Sequence, residues 1–179
     1  MNTAAETQKR PRVFRELLSW LGVLALALAI ALPVRAFVFE LIRVDGRSMQ
    51  DTLQHDELMF VAKYDYLLRD PARFDVVICG YPNRTETFIT RVVGLPGDVV
   101  SIAGGVLTVN GVAYPEDSLT QRPDYVLPET LVPDGSYFVL GDHRSNSNDS
   151  HIVGPLPREL IRGHVLAVLF PFSVMRLVQ

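Results

Sequence analysis

Residues 17–34 read LLSWLGVLALALAIALPV, eighteen consecutive positions without a charge. Wound as a helix at about 1.5 Å per residue, they reach roughly 27 Å, close to the ~30 Å hydrocarbon thickness of a bilayer. A buried soluble helix seldom lacks charge on every face over such a length, so a membrane anchor over residues 17–35 is expected. Lys9, Arg10, Arg12 and Arg15 precede the run, partly offset by Glu6 and Glu16. Short basic flanks stay cytoplasmic, which places residues 1–16 inside the cell and 36–179 outside it, although Arg35 and Arg43 weaken the asymmetry. The expected location is the cell membrane, crossed once. The run Ala29-Ile30-Ala31 has the small-residue character of a signal-peptide cleavage site, but cleaved apolar segments run about 7–15 residues and this one is longer.

Residues 36–179 carry twelve basic and eighteen acidic side chains. A domain of that sign is a poor match for nucleic acid, whose backbone is bound by concentrated Lys and Arg. The single cysteine, Cys79, permits no internal disulfide and no zinc cluster, and nothing points to a metal or an organic cofactor.

From residue 38 onward, short apolar runs alternate with Gly, Pro and Asp. Runs at Phe39–Val44, Glu57–Ala62, Asp75–Ile78, Thr87–Val93, Val99–Ile102, Val106–Val109, Val112–Tyr114, Ser136–Leu140 and Val165–Phe170 are too short and too rich in Val, Ile, Phe and Tyr for helices. The domain is therefore expected to be mainly β. Asn110-Gly111 is a type I′ hairpin signal and Gly104-Gly105 a second turn. Residues 98–135 then form a ribbon and cap excursion, and Leu156–Arg162 is expected as a short helical turn.

Three segments can carry chemistry. In VDGRSMQDTL, Gly46 lets the backbone turn so that Ser48, followed by Met49 and then Asp51, projects into a cleft. A serine hydroxyl needs a base to take its proton, either a histidine or a neutral lysine. The second segment, Ile89-Thr90-Arg91-Val92-Val93 running into Gly-Leu-Pro-Gly-Asp, puts Thr90 and Val92 on one face and Ile89 and Arg91 on the other. The third, Gly141-Asp142-His143-Arg144-Ser145-Asn146-Ser147-Asn148-Asp149-Ser150-His151, has no apolar side chain and lies between apolar runs. Such a loop is either solvated or a hydrogen-bond network beside a site, where Arg144 and Asp149 can clamp it. A Ser-His-Asp arrangement with His143 and Asp142 is available, but no spacing selects it. The Gly-x-Ser-x-Gly elbow is absent. The sequons at Asn83 and Asn148 are read as coincidence.

With these segments in this order behind an apolar helix, the chain resembles the type I signal peptidases, in the short single-anchor form found in Gram-positive bacteria. The resemblance extends through RFDVVI at 73–78 and GPLPRELIRGHVLAVLFP at 154–171. It implies a β-sheet catalytic domain that cleaves signal peptides from exported preproteins outside the membrane, with a serine nucleophile and a lysine base. Ser48 matches the nucleophile, and its N–H with the turn at Gly46 matches the oxyanion site. Ser147 matches the hydroxyl that orients the lysine. Arg91, Asp142, Arg144 and Asp149 match supporting positions.

The departures bear on activity. Thr90 occupies the lysine position, and a hydroxyl cannot hold the serine proton at neutral pH. Asp51 replaces a proline, His143 an asparagine and His151 an arginine of the family pattern; an inward-pointing Asp51 would disfavour an oxyanion. Lys63, His143 and His151 are the substitute bases to test. Two functions follow. One is a membrane-bound holder of signal peptides or pilin-like substrates during surface-protein or pilus assembly, with cleavage lost or very weak. The other is an active serine endopeptidase with a substituted base. Val44 and Thr87–Val93 are the strand edges expected to pair with an extended substrate.

Overall fold

The computed structural model describes residues 12–178 other than 82, 83, 85, 115, 117, 118, 120 and 121. Most of the expected cytoplasmic flank and the sequon at Asn83 lie outside the described residues. The apolar run forms helix α1, Arg12–Pro33, with its side chains exposed from Val13 onward and none covered by protein. Pro33 has no N–H to offer the carbonyl one turn back, and the helix loosens into a wider turn over Val34–Val38. The helical stretch Val13–Val38 is long and apolar enough to cross a bilayer, as a single-pass membrane protein requires.

The chain divides after Val38, and the second unit is mainly β, as the alternation predicts. Its strands are β1 (Phe39–Arg43), β2 (Leu58–Ala62), β3 (Val76–Cys79), β4 (Phe88–Gly94), β5 (Val99–Ala103), β6 (Val106–Val109), β7 (Val112–Tyr114), β8 (Leu127–Leu131), β9 (Ser136–Leu140), β10 (Leu156–Pro157), β11 (Ile161–Phe170) and β12 (Arg176–Leu177). Two single-turn helices intervene, α2 (Asp65–Leu68) and α3 (Ser150–Val153). All pairings are antiparallel. The larger sheet runs β1-β2-β11-β3-β4-β9-β10, with β12 beside β11, and the smaller runs β7-β6-β5-β8. Register shifts along β11 against both neighbours are the bulges that curl the larger sheet.

The 98–135 excursion is this second sheet. Asn110 and Gly111 both have positive φ, 53° and 78°, as a type I′ turn demands. Strand β8, which pairs with β5, is masked in the sequence by its proline and its glutamate. The expected helical turn over Leu156–Arg162 is corrected. Leu156 and Pro157 pair with Tyr137 and Ser136, three residues make a tight turn, and Ile161 already begins β11. Alternate buried positions at Ile161, Gly163 and Val165 make this the start of a strand.

Three buried clusters follow from the pleat. Val76, Ile78 and Ile89 pack with Met49 and Leu53 on one face of β3 and β4, while Val77, Cys79 and Val92 pack with Tyr137 and Leu156 on the other. Phe138 and Leu140 of β9 join the second sheet through Val100 and Leu107.

Candidate active site

Gly46 has φ +116°, a conformation that L side chains rarely adopt, and the chain turns there as β1 ends. Met49 follows as a buried anchor, its carbonyl accepting from the N–H groups of Thr52 and Leu53. Ser48 is left half-buried at the edge of a cleft of about 350 Å³, lined by Val44–Gly46, Ser48, Met49 and residues 86–89. This cleft separates two strand edges. β1 is terminal in its sheet, and Phe88–Thr90 pair with β3 on one side only, because β9 begins its pairing at Arg91. The expected edge at Thr87–Val93 is thus corrected to its first half, since β9 covers the rest.

The Gly141–His151 loop closes on the back of Ser48. His143 N–H donates to the Ser48 carbonyl at 2.9 Å, and Asp142 N–H donates to Met49 Sδ at 3.4 Å. A β-carbon on Gly141 would overlap the Ser147 hydroxyl and stand 2.6 Å from the Ser48 carbonyl oxygen, so only glycine fits. Ser48, Ser147 and the Gly141–His143 backbone are therefore brought together.

Asp142 is fully buried and accepts a two-pronged bond from Arg91, at 2.9 and 2.7 Å, with the Thr52 hydroxyl on the same carboxylate. Such a pair is geometrically specific. It ties β4 to both the serine turn and the polar loop. Thr52, unsingled by sequence, sits four residues past Ser48, and only the partner reveals its role. Asp149 caps α3 through His151 N–H, takes the Gly141 N–H at 2.8 Å and pairs with His151 Nδ1 at 2.6 Å.

The expected Arg144–Asp149 clamp is corrected. Arg144 donates from Nε to the Gly141 carbonyl, and its terminal nitrogens fork onto Glu116, which follows β7. No spacing in the sequence points to Glu116.

Thr90, which the family resemblance sets where a lysine is expected, stands apart from this network. Thr90 is buried on the face opposite Ile89, its Oγ1 3.7 Å from Cys79 Sγ, and it does not line the serine cleft. Burial pushes the Cys79 thiol up to about 11, the Thr90 hydroxyl and the Arg162 charge pulling partly back. At neutral pH this pair is an alcohol against a thiol. Asp51 is half-buried and lies outside the cleft lining.

Of the substitute bases, Lys63 pairs with Glu40 at 2.8 Å, beside the Phe39–Ala62 end of the β1–β2 pair. That is four residues, about 13 Å, from the end of β1 where the serine turn begins. His151 is held by Asp149 and stacks on Tyr125 at 4.2 Å. His143 is half-exposed, but its Nδ1 is buried and has no hydrogen-bond partner among the described residues. Among those residues no group of three His, Cys, Asp or Glu side chains is arranged to hold a metal.

An anchored, curled antiparallel domain with a serine on a glycine turn against a buried polar loop is the setting for the comparisons with known proteins. Residues 17–170 match the family described as "Signal peptidase, peptidase S26". A probable signal peptidase I-1 of Synechocystis is 37% identical over 84% of this chain and 81% of its own length. The signal peptidase I of Leptolyngbya laminosa is 33% identical over 95% and 88%, and that of Bacillus licheniformis 32% over 98% of each. The chain belongs to the signal peptidase I family.

Proposed function

We propose that this chain holds signal-peptide segments of exported preproteins, or pilin-like substrates, in the Ser48 cleft on the outer side of the membrane, with cleavage lost or very weak. The short, single-anchor Gram-positive form is the subtype it fits best. An extended segment would lie between the open edge near Val44 and the unpaired side of Phe88–Thr90, donating and accepting main-chain bonds as an added strand does. In the peptidase reaction the Ser48 oxygen attacks the scissile carbonyl, its proton passes to a base, and the Ser48 N–H faces the oxyanion. The observation that carries the proposal is Thr90, whose buried hydroxyl is engaged with Cys79 where a base is required. A holding role in surface-protein or pilus assembly needs the groove and not the proton transfer.

The test uses detergent-solubilised full chain and a preprotein, comparing wild type, Ser48→Ala and Thr90→Lys. Binding without cleavage in wild type, and cleavage gained in Thr90→Lys, is the expected result. Wild-type cleavage abolished by Ser48→Ala would sink it.

One observation favours a second reading. The His143 Nδ1 is buried without a hydrogen-bond partner among the described residues, and the backbone N–H of the same residue donates to the Ser48 carbonyl. In that reading the chain is a slow serine endopeptidase with His143 as its base, and cleavage would vanish in His143→Asn.

A further inference from the structure

Arg144 is the largest fully buried side chain among the described residues, and its charge is balanced from outside the motif that contains it. Nη1 lies 2.7 Å from Glu116 Oε2, Nη2 bonds Oε1, and Nε lies 2.9 Å from the Gly141 carbonyl. Glu116 itself is largely buried, in the excursion beyond the larger sheet. A guanidinium with no solvent around it is tolerated only with its donors matched, so Glu116 determines where Arg144 can sit.

Arg144 in turn holds one specific peptide plane. The Gly141 carbonyl and the Asp142 N–H belong to the same rigid unit; Arg144 binds its oxygen and Met49 Sδ its hydrogen. The next N–H along, His143, donates to the Ser48 carbonyl. Rotation of this plane would release Met49 and swing the His143 donor away from Ser48.

We propose that Glu116 is a positioning residue of the Ser48 centre, acting through Arg144 to fix the Gly141–Asp142 peptide plane against the serine turn. This rests on the reading that Ser48 lies at the cleavage centre. The smaller sheet then has a catalytic consequence although it supplies no group to the cleft.

The test is made in the Thr90→Lys chain, where cleavage can be read. Glu116→Leu alone strands a buried cation and loses both stability and cleavage. The informative variant is Glu116→Leu with Arg144→Met, because an apolar pair of similar volume replaces a buried ion pair without loss of stability. It removes the bond to Gly141 all the same. The expected result is a melting midpoint near the parent's, kcat lower by about tenfold or more with little change in KM, and faster hydrogen exchange at the His143 amide. Recovery of the parent's kcat together with its midpoint would make Glu116 merely structural and overturn the proposal.

If the Thr90→Lys parent does not cleave, kcat gives no readout, and exchange at the His143 amide decides alone. Protection equal to the parent's in the double variant overturns the positioning role. Glu116→Gln, which keeps the shape and one acceptor, is measured in the same way should the double variant not fold; parent-like exchange and kcat there also count against it.

Discussion

The Gly141–His151 loop reaches the serine turn through the His143 N–H and strand β4 reaches it through Arg91, yet the two are equipped very differently. The loop retains a dense set of anchors: Arg91 on Asp142, Asp149 on Gly141, Glu116 on Arg144 and His143 N–H on Ser48. Strand β4 offers a threonine bonded to a thiol. Positioning and proton transfer are separable requirements: a frame built from buried ion pairs can stand with or without a proton acceptor beside it. A loop kept rigid without a base still shapes a groove, which is what a holding protein needs.

The most direct way to break this comparison is to supply the acceptor. Thr90→Lys places a nitrogen at the ζ position, beyond the γ position reached by the threonine oxygen. If the frame is intact, serine-dependent cleavage should rise by about 10³-fold or more over wild type, the order lost when a member of a catalytic unit is removed. The readout is the rate of preprotein processing, with Ser48→Ala in the same background as the blank. No gain, in a folded protein that still binds the peptide, would show that the loop's geometry is also degraded.

Next in size is the anchor shared by both regions. Asp142→Ala takes the two-pronged carboxylate away from the nearly buried Arg91 guanidinium, which also donates to the Phe74 carbonyl and the Thr52 hydroxyl. Breaking a buried pair from one side costs about 3–5 kcal/mol, so the melting midpoint should fall by about 10 °C or more. A fall of only a degree or two would mean that solvent replaces the carboxylate and that the loop is looser than its contacts imply.

A smaller and more local change is Gly141→Ala. The added methyl meets the Ser147 hydroxyl and the Ser48 carbonyl, and overpacking of this kind costs about 1–3 kcal/mol. Peptide binding at the cleft should survive, while cleavage in the Thr90→Lys background should drop. Loss of both together would join the groove to the loop and remove the distinction between holding and cutting.

The two regions also differ in how far the sequence reveals them. The anchor, nine of the strands and the turn at Asn110-Gly111 are legible because apolar period and turn chemistry are local properties. Strand β8 is not, because Pro128 and Glu129 mask a short run that is specified by its pairing with β5. Leu156–Arg162 has helix-forming residues, but pairing with Tyr137 and the inward pleat of β11 override that weak preference. At the site, the polar loop can be identified by its composition, whereas its wiring cannot. Arg144 stands near Asp149 in sequence and is paired instead by Glu116, just past the end of β7. Charge partners at long range leave no spacing to read.

The smallest effect separates the serine turn from the loop by pH. Glu57 is buried at the end of that turn, where Arg176 forks onto it at 2.8 Å from both terminal nitrogens, Gln54 N–H donates at 3.0 Å, and Arg176 also binds the Thr52 carbonyl. Burial alone would raise its carboxyl, but the bonds from Arg176 and Gln54 prevail and hold it below its ordinary 4.5. A carboxyl depressed in the folded state takes up its proton more readily when unfolded. Its contribution is thus complete above about pH 4.5 and is lost as the pH falls through the folded value. Glu57→Gln should therefore be less stable than wild type at pH 7, by about 1–3 kcal/mol, and the gap in melting midpoint should narrow in acid. Asp65 and Asp98, which are also depressed, weaken both proteins in acid and cancel in the comparison. Hydrogen exchange would localise the acid loosening to the turn at residues 49–57. A gap that stays constant between pH 7 and pH 3 would mean that Arg176 braces the turn through the Thr52 carbonyl alone.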